Sequence, residues 1–495
     1  MKRILIIFIA LLLMQSGLEA QPVKGIIYAD TAGVQVVKVW GTHQERGYAL
    51  GYLTGGKITD VIVNYMKPEF GAFYNMARNI VIQGNDLEID PLYKTEAQAI
   101  IDGMNASGTN PSNLDQTDIL VGNTFLDITT LLMLQSGMNC SELMSWGDAT
   151  AGTDLEGKSV ISRHLDWEFS TVLSRNNVIT VHFPAETEES KWLLIGFSGM
   201  HSALSGFNPE FGAFQNMMDD NNNHGTNGKH YIPIWYALRR ALEATDYNGD
   251  GARNVQDVRS SLHDCTMGFA DGFIISALAK SAPTDSLVAM VAELAPVAPT
   301  HTYRYSNYPD SIPGDNLYTA NYQIARNNAM HFCSRYNGIK NHIGDGTLIG
   351  LDTNWNLLRD WSHLPANLQF MQYAPEADFM RISVYRDGKP AWQNEPVAFT
   401  LSELFEDPTV GTDEPMNLLH AHCLPNPASG SVRFMTGEAG KTVDLDITDA
   451  TGRVVLRRDR YLPGEALNIA SLRPGLYLVR LMTDSGVKFL RLIKI

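Results

Sequence analysis

The stretch from Met138 to Trp167 constrains this chain more than any other. A Cys140-Ser141 pair is followed by a polar, glycine-containing turn region. A short strand-like run, Lys158 to Ser162, then leads into Arg163-His-Leu-Asp166-Trp167. Thiol, guanidinium and carboxylate close together are the parts needed to run a cysteine as a nucleophile. A thiol with a reference pKa near ~8.5 is mostly protonated at neutral pH, so it needs a base or a nearby cation. Arg163 can supply the cation and Asp166 can orient a base, but no His lies just beside Cys140. Cutting the Asn139–Cys140 bond removes the need for one. Cys140 then becomes a chain start whose own α-amino group, with a reference pKa near ~7.7–8.0, can accept the thiol proton. A lone Cys is by default a buried residue without chemistry, so its surroundings have to argue for more.

Those surroundings resemble the cysteine N-terminal-nucleophile (Ntn) hydrolases: choloylglycine hydrolase, acid ceramidase and especially the acyl-coenzyme A:isopenicillin N acyltransferase family. That family reads roughly Cys-Thr-Ser and then Gly-Arg-Asn-Leu-Asp-Trp, against Cys140-Ser141-Glu142 and Ser162-Arg163-His164-Leu165-Asp166-Trp167 here. The Arg, Leu, Asp and Trp match; the Cys-Thr-Ser and Gly/Asn positions do not, and the gap from Cys to Arg is longer. Trp40-Gly-Thr-His-Gln-Glu-Arg-Gly47 is similar to the family's N-terminal signature. The resemblance implies an α+β fold, the four-layer αββα sandwich, made as an inactive precursor with Cys140, Arg163 and Asp166 at its site. It also implies an oxyanion donor at Asn321, within Ala320-Asn321-Tyr322. A second donor falls at Asn216, with Asp219 as its rival and Asn208 in a preceding turn. Ser334-Arg335-Tyr336 places Arg335 in the family's Arg-Tyr region, with Arg326 as the weaker choice.

One geometric difficulty accompanies this assignment. Residues 163 and 166 are three apart, so on a regular strand they face opposite sides. Both reach Cys140 only if the strand bends, bulges or ends between them.

Residues 1–20 read as a signal peptide, with Lys2 and Arg3 ahead of an apolar run from Ile4 to Met14 and a small residue at Ala20. That run is too short to span a bilayer, and no later stretch is long enough. A net charge of −16 argues against a nucleic-acid partner. With 495 residues there is room for one large domain and a small one. Four cysteines are too few for a disulfide scaffold, and a Cys265–Cys333 bridge is left open by the sequence.

Along the chain, Val34 to Trp40 alternates like a strand, and Thr42-His-Gln-Glu45 is a capping box opening a helix to about Met66. Further helices are expected over Leu87–Met104, Ile119–Leu134, Ile232–Thr245 and Val255–Leu262. Strands are expected over Val178–Phe183, Trp192–Phe197, Ala213–Met218, Leu287–Leu294, Asn367–Tyr373 and Phe379–Tyr385. Between the last two helices, residues 246–257 place Asp246, Asn248, Asp250, Asn254 and Asp257 at loop positions 1, 3, 5, 9 and 12, with Gly251 at 6. That spacing suits a hard cation, so a structural Ca²⁺ is expected in this EF-hand- or dockerin-like loop. A plain Asp/Asn turn is its rival.

Residues 407–422 read as a linker, with Pro408, Gly411 and Pro415 among acidic residues. From 423 to 495 two hairpins are expected around Asp449-Ala-Thr-Gly452 and Asp484-Ser-Gly486. The Pro-Asn-Pro opening, the Asp-Ala-Thr-Gly-Arg turn and the Leu-Arg-Pro-Gly-Leu-Tyr run resemble the C-terminal sorting domain of the type IX secretion system. This implies that secretion machinery as a partner, and passage through the periplasm to the outer-membrane surface or beyond.

The expected organisation is a pro-segment over 21–139, a catalytic part over 140–406, the linker and the sorting domain. The expected activity is hydrolysis of a linear, small-molecule N-acyl amide through a Cys140 thioester, without a catalytic cofactor. Water or another amine could be the acyl acceptor. Two other readings stay open: a phospholipase B-like esterase of the same fold, and a non-catalytic, calcium-stabilised surface binding protein.

Overall fold

The computed structural model describes residues 21–495, except 135–136, 168, 218–223, 282–286, 306–311, 327–332, 410–420, 425, 427, 437–441, 450–452, 484–485 and 495. The leader, the rival donor Asp219 and most of the expected linker therefore lie outside the described residues. The fold is mixed α+β with several sheets and a C-terminal β region. A nine-stranded sheet runs in the spatial order Gly25–Thr31, Val34–Gly41, Asn177–Pro184, Trp192–Phe197, Ser205–Phe207, Phe211–Met217, Phe273–Ala279, Ala289–Leu294 and His301–Arg304. A six-stranded sheet runs Asn316–Thr319, Asn139–Ser145, Val160–Asp166, Asn367–Ala374, Phe379–Val384 and Val397–Phe399. Val34–Gly41 pairs in parallel with Asn177–Pro184, while the other register pairs within these two sheets are antiparallel.

Strand periodicity explains how the sheets are covered. In Val34–Gly41, Val34 and Val36 join a core built from both sheets, with Met144, Ile161 and Met371 from the second. Val37 and Val39 turn the other way, into a core shared with the helices. Because successive side chains alternate faces, a strand buried on both sides must be apolar at nearly every position. A third core lies between the six-stranded sheet and the helices Ser334–His342 and Leu351–Trp361, with Leu143, Tyr318, Tyr336 and Leu358.

The capping box forms as expected. The Thr42 hydroxyl accepts from Glu45 N, and the Glu45 carboxylate accepts from Thr42 N at 3.0 Å. The α-helix runs His43–Val61 and continues as a π-helical turn, Ile62–Met66. It packs on Pro91–Ala106 at very close range: a Cβ at Gly51 would collide with the Ile100 carbonyl, and one at Gly103 with the Tyr48 carbonyl. That second helix starts at Pro91 rather than Leu87, because Asp90 caps it and proline occupies the first turn. The expected helix Ile119–Leu134 is two helices, Gln116–Asn123 and Phe125–Leu131. The break is at Thr124, whose hydroxyl donates to Leu120 O at 2.8 Å, a bond that competes with a straight helix. The remaining expected helices are Ile234–Glu243 and Val255–His263.

All four cysteines are free, so Cys265 and Cys333 do not pair. The C-terminal region holds a three-stranded and a four-stranded sheet around their own core of Val432, Leu445, Ile447 and Leu481. Its four-stranded sheet contains both expected hairpins, Val443–Thr448 with Val454–Tyr461 and Gly475–Thr483 with Gly486–Lys494.

Candidate functional site

The site forms where Asn139–Ser145 and Val160–Asp166 lie side by side, with Cys140 opposite Leu165, Glu142 opposite Arg163 and Asn139 opposite Asp166. Cys140 and Glu142 are two apart and share a strand face. Arg163, opposite Glu142, faces the same way, towards the nine-stranded sheet. Its guanidinium is fully buried and is spent on named partners. Nη2 donates to Cys140 Sγ at 3.2 Å and to Gln215 O at 2.7 Å, Nη1 to Ser205 Oγ at 2.7 Å, and Nε to Glu142 Oε1 at 3.3 Å. The Cys140 thiol also lies 3.8 Å from Gln215 O.

Asp166 ends its strand on the opposite side: Val160–Asp166 pairs with Asn139–Ser145 without a register shift, so the expected bend or bulge between Arg163 and Asp166 is absent and the two side chains leave opposite faces. The neighbouring strand bulges between Asn367 and Gln369, facing Asp166 and Leu165. Asn367 Nδ2 donates to Asp166 Oδ1 at 2.9 Å. Arg335, on the first turn of Ser334–His342, donates from Nη1 to Asp166 Oδ2 at 3.4 Å and to Cys140 O at 3.0 Å. Arg163 thus meets the sulfur from one face of the sheet, while Arg335, paired with Asp166, meets the backbone carbonyl of Cys140 from the other.

The two asparagines complete the network. Asn216, on Phe211–Met217, donates to Cys140 O at 3.1 Å and to Ala320 O at 2.9 Å. Asn321 donates to Asn216 Oδ1 at 2.9 Å and to Met217 O at 2.8 Å, and its own Oδ1 accepts from Arg335 Nη2. Cys140, Arg163, Asp166, Asn216, Asn321 and Arg335 therefore form one connected set, drawn from four strands or strand ends and a helix. Arg326, the weaker choice, and the turn residue Asn208 lie outside this set. Arg326 donates to Pro299 O and Val297 O, and Asn208 caps a turn by accepting from Glu210 N and Phe211 N.

Burial pushes the Cys140 thiol up to about 12; Arg163 pulls it back, Glu142 and Asp166 push it further, and Arg335 opposes them. Burial likewise raises Asp166 to about 7, against Arg335 and Asn367. As folded here, the thiol is a poor nucleophile.

Sequence reading missed Glu142, Thr319, Ser205, Asn367 and the Gln215 carbonyl as members of this network. Glu142 accepts from Arg163, from Asn216 Nδ2 at 3.4 Å and from the Thr319 hydroxyl. The family signature offered no acid at this position. His164, next to Arg163, points into the helix-side core, where it stacks on Phe370 with ring centres 4.1 Å apart and burial lowers its pKa to about 3.

Beside the site is a small apolar pocket, lined by Tyr65, Phe125, Trp167, Phe197, Met200 and Trp235 among others. Trp167 follows Asp166 directly. Trp235 Nε1 donates to the Gln215 side chain at 3.0 Å, which ties the pocket wall to the strand that holds Arg163.

Two further places carry ligand-type side chains. In 246–257, Asp246 accepts from Gly249 N at 2.8 Å and Gly251 N at 2.7 Å, Asp250 from Ala252 N at 2.8 Å, and Asn254 from Gln256 N at 2.7 Å. Asn248 accepts from Asp250 N at 3.0 Å, and Asp257 accepts from Tyr247 N at 2.8 Å and Asn254 N at 2.9 Å. Behind the nine-stranded sheet, His43, Glu189 and Glu243 have ligand atoms within 4.8 Å of one another. Arg46 and Arg239 pair with those two carboxylates, and Glu96 and Glu189 hold the His43 ring, so this is a buried ion-pair network anchoring the Trp40–Gly47 segment.

No curated protein matches the chain. A Caenorhabditis elegans N-acylethanolamine-hydrolyzing acid amidase ortholog is similar at 12% identity over 48% of this chain and 93% of that one, with a TM-score of 0.33. PorZ, a surface component of the type-IX secretion system of Porphyromonas gingivalis, is similar at 20% identity over 15% of this chain and 11% of that one, with a TM-score of 0.13. At these scores neither likeness bears on fold or activity. Among the described residues no helix is long and apolar enough to cross a membrane. Residues 423–495 match the secretion system C-terminal sorting domain, and this domain marks the chain for type IX secretion to the cell surface or outside.

Proposed function

We propose that the chain is a secreted, self-processing amidohydrolase of the αββα Ntn type, cleaving a linear N-acyl amide with Cys140 as nucleophile. The observation that carries this reading is the convergence of Cys140, Arg163, Asp166, Asn216, Asn321 and Arg335 into one hydrogen-bonded set. Cutting at Asn139–Cys140 frees an amine beside Asp166, the residue opposite Asn139 in the strand register. That amine receives the thiol proton, and Asp166 holds it. The thiolate, paired with Arg163, attacks the substrate carbonyl, and Asn216 and Asn321 each exchange one of their present acceptors, such as Ala320 O or Met217 O, for the oxyanion. Departure of the amine leaves a thioester, which water resolves. The apolar pocket beside Trp167, walled by Tyr65, Phe125, Phe197 and Trp235, suits the acyl group by its chemistry.

Residues 21–139 stay attached after the cut in this reading. Val34–Gly41 is an interior strand of the nine-stranded sheet, and the helix His43–Val61 shares a core with Trp192 and Leu204. The products are two chains of one folded body.

Two expectations follow. Asn321→Ala should lower kcat by about 10²–10³-fold, the usual cost of one oxyanion donor, with KM little changed. Steady-state kinetics on a panel of N-acyl amides checks it, and an unchanged kcat removes Asn321 from the reaction. The second concerns Ca²⁺, which we propose for the 246–257 loop. Its donors are hard oxygens, Gly251 at φ +84° permits the tight turn, and the Asp257 carboxyl is raised by burial and by the nearby Asp246 charge, which a cation would relieve. Added Ca²⁺ should stabilise the chain by about 2.7 kcal/mol at a hundredfold excess over Kd. A thermal midpoint indifferent to Ca²⁺ and to chelator counts against the site.

A further inference from the structure

Self-cutting poses a problem that the mature mechanism does not. Until the Asn139–Cys140 bond breaks, Cys140 has no free amine to receive its thiol proton. Glu142 is fully buried and lies on the same strand face as the thiol. Arg163 joins the two. Its Nε donates to Glu142 Oε1 at 3.3 Å and its Nη2 to Cys140 Sγ at 3.2 Å, so carboxylate and sulfur sit side by side along one edge of one guanidinium. The other Glu142 oxygen is held by Asn216 Nδ2 at 3.4 Å, Ser276 Oγ at 3.5 Å and the Thr319 hydroxyl.

Charge balance favours this neighbour as the acceptor. Arg163 and Arg335 stand against Glu142 and Asp166, and the thiol is uncharged. Losing its proton to solvent would leave a third, uncompensated anion in the interior, which is costly. Passing the proton to Glu142 leaves the balance untouched. Burial raises the Glu142 carboxyl, against Arg163, Thr319 and Asn216, which makes it a readier acceptor than an exposed acid. Asp166 is committed on the other face, to Arg335 and Asn367.

We propose that Glu142 is the base that starts self-cutting, an inference that rests on the Cys140 reading above. The thiol proton moves to the Glu142 carboxylate, and the thiolate attacks the Asn139 carbonyl carbon, forming a C–S bond. The C–N bond to Cys140 then breaks as the Glu142 acid returns the proton to the departing nitrogen. The resulting thioester is cleaved by water, giving the Asn139 carboxylic acid and the free thiol. From then on the new amine takes over as base.

The test is cell-free synthesis of the full chain as wild type, Glu142→Gln, Glu142→Asp and Cys140→Ala. Conversion of one band to two is followed on denaturing gels between pH 4 and 8, with circular dichroism to check folding. Glu142→Gln is expected to cut at least about 100-fold more slowly, with Glu142→Asp retaining a measurable rate. The wild-type rate is expected to rise with pH through a single ionisation that Glu142→Gln lacks. Should Glu142→Gln fail to fold, the wild-type pH profile and the Glu142→Asp rate decide. Glu142→Gln cutting at the wild-type rate, or a wild-type rate independent of pH, overturns the assignment. If Cys140→Ala stays whole while Glu142→Gln cuts normally, only the role of Glu142 is lost. If Cys140→Ala is also cut, the nucleophile reading fails instead.

Discussion

Cys140→Ala is expected to emerge from secretion as one chain and to show no amidase activity above background, a loss on the order of 10⁴-fold or more in kcat. The size of the effect follows from one residue serving two purposes. Without the sulfur there is no attack on Asn139, so no amine is released, and no acceptor exists for an acyl group. The substitution should not damage the fold. Cys140 donates only a long 3.8 Å contact to Gln215 O, and Arg163 keeps its bonds to Gln215, Ser205 and Glu142. Cys140→Ala should therefore unfold in urea near the wild-type midpoint. Cys140→Ser, which keeps a weaker nucleophile, is the informative partner. Slow cutting in that variant alone would show that the strand geometry drives the attack.

Arg163→Ala is expected to be worse for the protein as a whole, costing about 3–5 kcal/mol of stability. The reason is Glu142 rather than lost attraction. The carboxylate is fully buried, and removing the guanidinium leaves its charge without an ionic partner. A double variant, Arg163→Met with Glu142→Leu, should lose less than the sum of its single changes, because it removes the stranded charge as well. Urea unfolding of the four proteins measures the coupling. Additive losses would mean that the pair is not the source of the cost.

The sequence named side chains that the fold brings together, but not the groups around them. Arg163 and Asp166 announce themselves because they follow Cys140 within one hairpin and carry side chains that an apolar core would not choose. Asn321 and Arg335 needed the family pattern, since nothing local separates a catalytic Asn or Arg from a surface one. Glu142 was in plain view two residues from the thiol. Its partners were not, because Thr319 lies 177 residues away and meets it only through the pairing of Asn316–Thr319 with Asn139–Ser145. The bulge opposite Asp166 was invisible for the same reason: it belongs to a strand some two hundred residues on, and not to the strand of Arg163 and Asp166, where parity predicts one.

Element edges show the same division between local and long-range causes. The capping box at Thr42 is a local signal, and it located its helix start. The Asp90-Pro91 start was an equally local signal that hydrophobic spacing outweighed. The break at Thr124 depends on a side-chain bond to Leu120 that apolar periodicity does not register.

The central claim is that Cys140 becomes a chain start. Intact-mass measurement and N-terminal sequencing of the secreted protein test it directly. Two chains are predicted, held together in native buffer and separated on denaturation, one of them beginning Cys-Ser-Glu-Leu. A single chain running unbroken through Asn139 and Cys140, and hydrolysing N-acyl amides at an undiminished rate, would contradict it.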